Sequence, residues 1–234
     1  MNPITLAIPT YNRFEMCRDL VESIVHDPRI DEIIISDDAS TDGSFDGILK
    51  LEGMYEKVYA FRNGANVDCY RNKRMAVSHA ANEWLILFDD DNELDSTYID
   101  AIEREWPWDN DTVYCPEFAK PHFDFRAFAG QTIHRSNVAE MIKKHGDTLL
   151  TAFNAANYFV NRDGYLRVWD GSVNPHTADS IFQIYNWLNK GNKVKFVRGM
   201  QYLHRVHAGS HYKTNNHKTG NFYDEVVEKL KGLI

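Results

Sequence analysis

The run "WLILFDDDNEL", residues 84 to 94, places three adjacent aspartates, Asp89, Asp90 and Asp91, directly after an apolar stretch. Adjacent carboxylates repel, and burying them is costly without a counter-charge. Either water solvates them or a cation sits there. Hard divalent cations take oxygen ligands, and Mg²⁺ often takes one or two carboxylates plus phosphate oxygens. Along an extended chain alternate side chains share a face, so Asp89 and Asp91 are expected to face one site, with Asp90 pointing elsewhere. The same residues also fit a solvated acidic turn in which Asp91 or Asn92 caps the next segment. A second acidic stretch, "SDDASTDG" (36–43), is built of turn formers, and Asp38 in it could accept hydrogen bonds from a base or ribose.

These acids follow a repeating pattern of elements. "ITLAIP" (4–9), "EIIISDD" (32–38), "KVYAFR" (57–62) and "EWLILFD" (83–89) read as short buried strands. Between and after them, 13–26, 44–53, 67–81 and 96–106 read as helices, with Ser44 and Ser96 as N-caps. The first helix carries Phe14, Cys17, Leu20, Val21, Ile24 and Val25 on one stripe. Strands alternating with helices argue for a parallel α/β sheet, whose doubly buried strands read as continuous apolar runs. Ligands bind outside the carboxyl ends of such strands. Pro9-Thr10-Tyr11-Asn12, Asp37-Asp38 and Asp89-Asp90-Asp91 all fall at those ends, so the pattern gathers them on one edge.

The second half is less periodic. Residues 107–175 are rich in aromatics, and Trp84, Trp106, Trp108 and Trp169 read as core or acceptor-wall residues. "DSIFQIYNWLNKG" (179–191) is an amphipathic helix, 193–197 a short strand, 202–220 a polar stretch rich in His, Lys and Asn, and 222–234 a closing helix.

The chain has 234 residues and a formal net charge of −8, which argues against sequence-independent nucleic-acid binding. Its three cysteines lie far apart and form no zinc-ligand spacing, so reduced thiols in a reducing compartment are expected. No secretory leader and no run of roughly 20 apolar residues is visible. The expectation is a cytoplasmic chain without a membrane span, folded as a single domain over 1–234, with 1–106 and 107–234 as its two halves.

"AIPTYNR" (7–13), "IISDDASTDG" (34–43), "YRNKRMAVSHAANEWLILFDDDN" (70–92) and "LHRVHAGS" (203–210) occur in the order found in family 2 glycosyltransferases, and the chain resembles that family. The resemblance implies the GT-A fold of nucleotide-diphospho-sugar transferases, a mixed central sheet sandwiched by helices. It implies transfer, with inversion, of a sugar from a nucleoside diphosphate donor, UDP being expected, to a glycan or other hydroxyl-bearing acceptor. Mn²⁺ or Mg²⁺ is the implied cofactor. Residue by residue, Pro9, Thr10, Tyr11 and Asn12 line the nucleotide, Asp38 contacts the base, and Arg71 lies near the base or diphosphate. Asp89 and Asp91 flank an Asp-x-Asp motif in which Asp91 meets the metal and Asp90 lies near ribose or metal, its register open by one residue. His207 in the stretch Arg205 to Ser210 is a candidate third ligand or diphosphate contact, and Lys213 a candidate for neutralising diphosphate. Tyr70 stands where the family has Ala, and Asn92 where a further Asp is common. On the acceptor side Ala178 replaces the first acid of the family's pair and Asp179 remains as catalytic base, although Asp is also a favoured helix N-cap. His79 reads as packing.

Two other readings compete. A sugar nucleotidyltransferase would carry a Gly-rich loop after the first strand, where this chain has Pro-Thr-Tyr-Asn-Arg. A non-catalytic nucleotide-sugar or glycan-binding module would need no base at Asp179.

Overall fold

Every residue of β1 (Ile4–Thr10) is buried, as are all but one of β2 (Ile30–Asp37). In the computed structural model these two strands run parallel and in register, Leu6 opposite Ile33 and Thr10 opposite Asp37. On β1's other side lies β4 (Trp84–Leu87), parallel as well, and β3 (Val58–Arg62) extends the sheet beyond β2. The structure describes residues 2–155, 157–206 and 211–233, without the side chains of 211–220. Among the described residues the sheet has nine strands in the order β3-β2-β1-β4-β8-β5-β9-β7, with β6 paired to β5.

The first-half expectations hold within a few residues at each element. Helix α1 (Phe14–Ile24) buries Cys17, Leu20, Val21 and Ile24, the predicted stripe. α2 (Ser44–Met54), α3 (Cys69–His79) and α4 (Ser96–Glu103) follow their strands. Burying one such aliphatic side chain contributes about 1.5–3 kcal/mol, so the apolar runs dictate which faces close.

Two predicted caps move by one residue. Gly43, in the left-handed region at φ 87°, caps α2 in place of Ser44; only glycine adopts that turn without a Cβ penalty. The Ser44 hydroxyl instead accepts from the Phe14 amide at 3.2 Å. Asp95 caps α4, its carboxylate accepting from Thr97 N at 2.9 Å, where Ser96 was expected.

The second half joins the same sheet. β8 (Tyr158–Asn161) pairs antiparallel with β4, which makes the sheet mixed. β5 (Thr112–Lys120) lies between β8 and β9 (Lys193–Leu203), and β6 (Phe123–Asp124) and β7 (Thr132–His134) complete that side. β9 is longer than the expected 193–197, passing through Gly199 at φ 78°. Helix α5 (Val138–His145) packs against β7, α7 (Arg162–Val168) against β8, α8 (Asp179–Asn189) against β9, and α6 (Asp147–Asn154) against α5 and α8, with short 3₁₀ turns at Arg126–Phe128 and His176–Ala178. α9 (His211–Lys231) begins well before the expected closing helix and absorbs part of the polar stretch. Its buried Val226, Val227 and Leu230 anchor it, and Phe222 meets Phe182 edge to face.

Trp84 is buried and stacks on Phe159, and Trp108 packs edge-on against the same ring. Trp106, by contrast, is 57% exposed and is no core residue, its ring meeting Trp108 edge to face at the surface. His79 stacks on Phe61 at 3.8 Å, the packing role expected of it. Among the described residues no helix is long and apolar enough to cross a membrane.

Candidate active site

Because β1, β2 and β4 are parallel, their carboxyl ends open on one edge, and side-chain bonds stitch the three ends together. Thr10 Oγ1 donates to Asp90 Oδ2 at 2.6 Å. Asn72 on α3 donates to Thr10 O and Ser36 O, at 3.3 and 2.9 Å, and accepts from the Ser36 hydroxyl at 2.7 Å. The expected convergence of the polar strand ends is therefore present in the structure.

Of the first polar stretch, Pro9 and Thr10 lie buried inside β1 and Tyr11 is 41% exposed at its end. Asn12, at φ 53°, is spent on the protein itself: its side-chain carbonyl accepts from Thr41 N at 2.8 Å, and its backbone amide donates to Ser40 Oγ at 2.8 Å. It shapes the 40–43 turn, a local role that sequence pattern does not separate from ligand contact.

Asp38 is buried, and its Oδ1 accepts from Asn63 Nδ2 and Val67 N, both at 2.9 Å. Burial pushes its carboxyl upward, against those hydrogen bonds. Asn63 and Val67 also line an open cavity of 310 Å³ with Arg71, Arg74 and Trp169. Asp38 and Arg71 thus belong to one neighbourhood. The Arg74 guanidinium lies 4.9 Å above the Trp169 ring, which in turn stacks on Tyr70.

The triple aspartate does not alternate as expected. β4 ends at Leu87 and the chain turns at Asp90 and Asp91, so strand geometry no longer governs the side chains. Asp90 and Asp91 share one partner: Arg13 Nη1 is 3.1 Å from a carboxylate oxygen of each. Asp89 turns the other way, to Lys73 Nζ at 3.2 Å. Its amide donates to Asn157 Oδ1 at 2.7 Å. Burial raises the Asp89 carboxyl, opposed by Lys73. Burial pushes Asp90 up to about 7, opposed by Arg13. For Arg13, burial works against the charge, but Asp90 and Asp91 more than offset it.

Asp179 is the first residue of α8; Ala178, not Asp179, occupies the cap position. Its Oδ2 lies 2.8 Å from Lys73 Nζ, with no donor aligned on it as a hydrogen bond. Upstream, Asp68 Oδ2 accepts from Asn174 Nδ2 at 2.9 Å and meets His176 Nδ1 at 3.2 Å, and Asn154 Nδ2 donates to Thr177 O at 3.1 Å. The entry to α8 is thereby held against α3 and α6.

The structure brings Thr10, Asp89, Asp90, Asp91 and Asp179 into one charged network, with Asp38 and Arg71 beside it. Lys73, Arg13 and Asn72 are the members that sequence reasoning missed. The signal was present: buried carboxylates without a named counter-charge required cations, and Arg13 and Lys73 stand inside the quoted motifs. His207 lies outside the described residues, as does the Lys213 side chain. Among the described residues no group of three or more His, Cys, Asp and Glu could hold a metal. Asp89 and Asp91 supply oxygen donors of the kind a hard divalent ion takes with phosphate oxygens, but here they turn to different cations, Lys73 and Arg13.

The sequence model described as Glycosyl transferase family 2 matches residues 5–169. The chain belongs to glycosyl transferase family 2. This family 2 chain is 33% identical over 132 residues to abequosyltransferase RfbV of Salmonella typhimurium, covering 51% of the chain and 40% of RfbV. It is 25% identical over 221 residues to the cholesterol galactosyltransferase of Borreliella burgdorferi, covering 83% and 56% respectively. It therefore spans about half the length of these relatives. Among solved structures, the mannosyltransferase PcManGT from Pyrobaculum calidifontis, in complex with GDP-Man and Mn²⁺, superposes with a TM-score of 0.68 at 13% identity, covering 96% of this chain and 64% of that one. S. aureus TarS in complex with UDP-GlcNAc gives 0.68 at 12% identity, covering 97% and 66%. The fold of the family 2 chain is thus the expected GT-A fold.

Proposed function

We propose that this chain transfers a sugar from a nucleoside diphosphate donor to an acceptor hydroxyl, with inversion at the anomeric carbon. The observation that carries the reading is the shared edge: the donor-side carboxylate of Asp89 faces the acceptor-side Asp179 across a single lysine, Lys73, while Asp90 and Asp91 pair with Arg13 beside it. A strand edge that only bound nucleotide would have no use for a carboxylate held at the start of a second-half helix. Pro9, Thr10, Tyr11, Asp38 and Arg71 bind the nucleotide, with the 310 Å³ cavity beside Asp38 as its entrance.

Asp179 takes the proton of the acceptor hydroxyl as that oxygen attacks the anomeric carbon. A carboxylate suffices for this if it reaches the hydroxyl. The leaving diphosphate gathers negative charge on the donor side, where Arg13 already balances Asp90 and Asp91. Asp89 and Asp91 would hold Mn²⁺ or Mg²⁺, which neutralises charge on a departing phosphate oxygen when bound. UDP is the donor nucleotide proposed, on the sequence motifs and on the use of the same fold for UDP-GlcNAc in TarS. The three free cysteines suit a reducing, cytoplasmic setting.

A thermal-shift screen of UDP-, GDP-, dTDP- and CDP-sugars, each with and without Mn²⁺, tests donor and metal together, because a ligand selective for the native state raises its apparent stability. A rise with one nucleotide class that grows with Mn²⁺ is expected. No shift with any of them would overturn the reading. A shift without turnover of the bound donor in the presence of any acceptor would favour the binding-module alternative.

A further inference from the structure

Lys73 is absent from every role considered so far, yet it occupies the centre of the charged network. It sits on α3 and is buried, with 9% of its side chain exposed. Its Nζ lies 2.8 Å from Asp179 Oδ2, 3.2 Å from Asp89 Oδ1 and 3.4 Å from Ser180 Oγ. Burial works against the ammonium, but Asp179 and then Asp89 outweigh it and hold Lys73 protonated well above the ordinary lysine range. A buried lysine that bridges two carboxylates from different elements is costly to build and costly to break.

We propose that Lys73 is the positioning residue that couples the two halves of the site, setting the acceptor-side carboxylate of Asp179 against the donor-side carboxylate of Asp89. The inference rests on Asp179 being the proton acceptor, as proposed above. Three observations favour coupling over plain charge balance. First, the base of the side chain is fixed: the neighbouring Asn72 anchors α3 to Thr10 and Ser36, at the ends of β1 and β2. Second, the carboxylates come from different elements, the end of β4 and the start of α8, and Nζ is a partner of both, so it is their shared reference point. Third, α8 is held in place by other contacts, Asn154 to Thr177 O and Ile181 N, and Asp68 to Asn174 and His176. Lys73 is therefore not needed to dock the helix, and is left to set where the carboxylate points.

Misplacing a reacting group by about 1 Å can cost roughly a hundredfold in rate. Lys73→Met keeps the aliphatic volume and removes the ammonium. Its turnover of the donor identified by the screen, read as release of nucleoside diphosphate, should fall about a hundredfold in kcat. Binding of UDP in the presence of Mn²⁺, measured by calorimetry, should change much less. Lys73→Arg should recover part of kcat, since it restores a cation between the two carboxylates. In an Asp179→Asn background, Lys73→Met should cause no further loss, because residues acting as a unit are not additive. Should Lys73→Met fail to fold, Lys73→Gln replaces it in the same cycle.

Equal fractional losses in the parent and the Asp179→Asn background would overturn the coupling, as would unchanged kcat in Lys73→Met. Loss of UDP binding in step with kcat would overturn it too, in favour of a donor-binding role. If Asp179→Asn alone retains full turnover, the base assignment fails and this proposal falls with it. If Asp179→Asn collapses turnover while Lys73→Met does not, only the coupling is wrong.

Discussion

Thr10 Oγ1 donates a 2.6 Å hydrogen bond to Asp90 Oδ2, from the last residue of β1 to the turn after β4. Both residues are buried. The bond, with Arg13 on the other Asp90 oxygen at 3.1 Å, explains how a chain tolerates three consecutive acids behind an apolar strand. Each carboxylate leaves the triplet toward a donor supplied by another element.

The protonation of Asp90 predicts a pH signature. Its carboxyl sits at about 7 in the native state, against about 4 in an unfolded chain. Over that window the native protein binds more protons than the unfolded chain, so stability falls as pH rises from about 4 to about 7. Asp89 is shifted the same way and contributes the same sign. Urea denaturation in EDTA should therefore show a shallower pH slope for Asp90→Asn than for the parent. Equal slopes would remove Asp90 as a source.

Asp91→Ala removes one of the two carboxylates assigned to the metal. Turnover with Mn²⁺ should drop by about a hundredfold, the scale of several kcal/mol of charge stabilisation, with a rise in the Mn²⁺ concentration needed for half-activation. Undiminished turnover would end the metal role of Asp91.

Asp179→Asn keeps the shape of the side chain and loses its basicity. kcat should fall by roughly a hundredfold to ten-thousandfold, while UDP still raises the melting temperature. Loss of that UDP-induced rise would place Asp179 in donor binding instead.

Asn72→Ala strips donors from Thr10 O and Ser36 O and an acceptor from the Ser36 and Asn63 side chains. Leaving such buried groups unsatisfied costs about 3 kcal/mol in total, read as a lower urea midpoint at unchanged slope. A loss under about 0.5 kcal/mol, the range of an ordinary surface substitution, would show that water takes over these bonds.

The strands were legible because their signal is local. "ITLAIP", "EIIIS" and "WLIL" are apolar without interruption, and a strand buried on both faces reads that way. Parallel order then places Thr10, Asp38 and Asp89 at one edge without any knowledge of contacts. The cap positions were less legible, since Ser44 and Ser96 are good cap types beside Gly43 and Asp95, which took the role. The length of β9 and the early start of α9 escaped because neither carries a clean period.

Sequence by itself determined the apolar alternation, the edge that collects the acids, and the family whose motifs they match. Tertiary structure decided the pairing of charges. Which cation meets which carboxylate depends on where β4 stops, how α3 is anchored by Asn72, and how α8 enters, all of them long-range contacts. Asp89 parts from Asp90 because the strand ends at Leu87, and Lys73 reaches Asp179 from a residue more than a hundred positions earlier in the chain. Coulomb attraction in a buried, low-dielectric pocket acts through space, so the order of residues along the chain does not encode it.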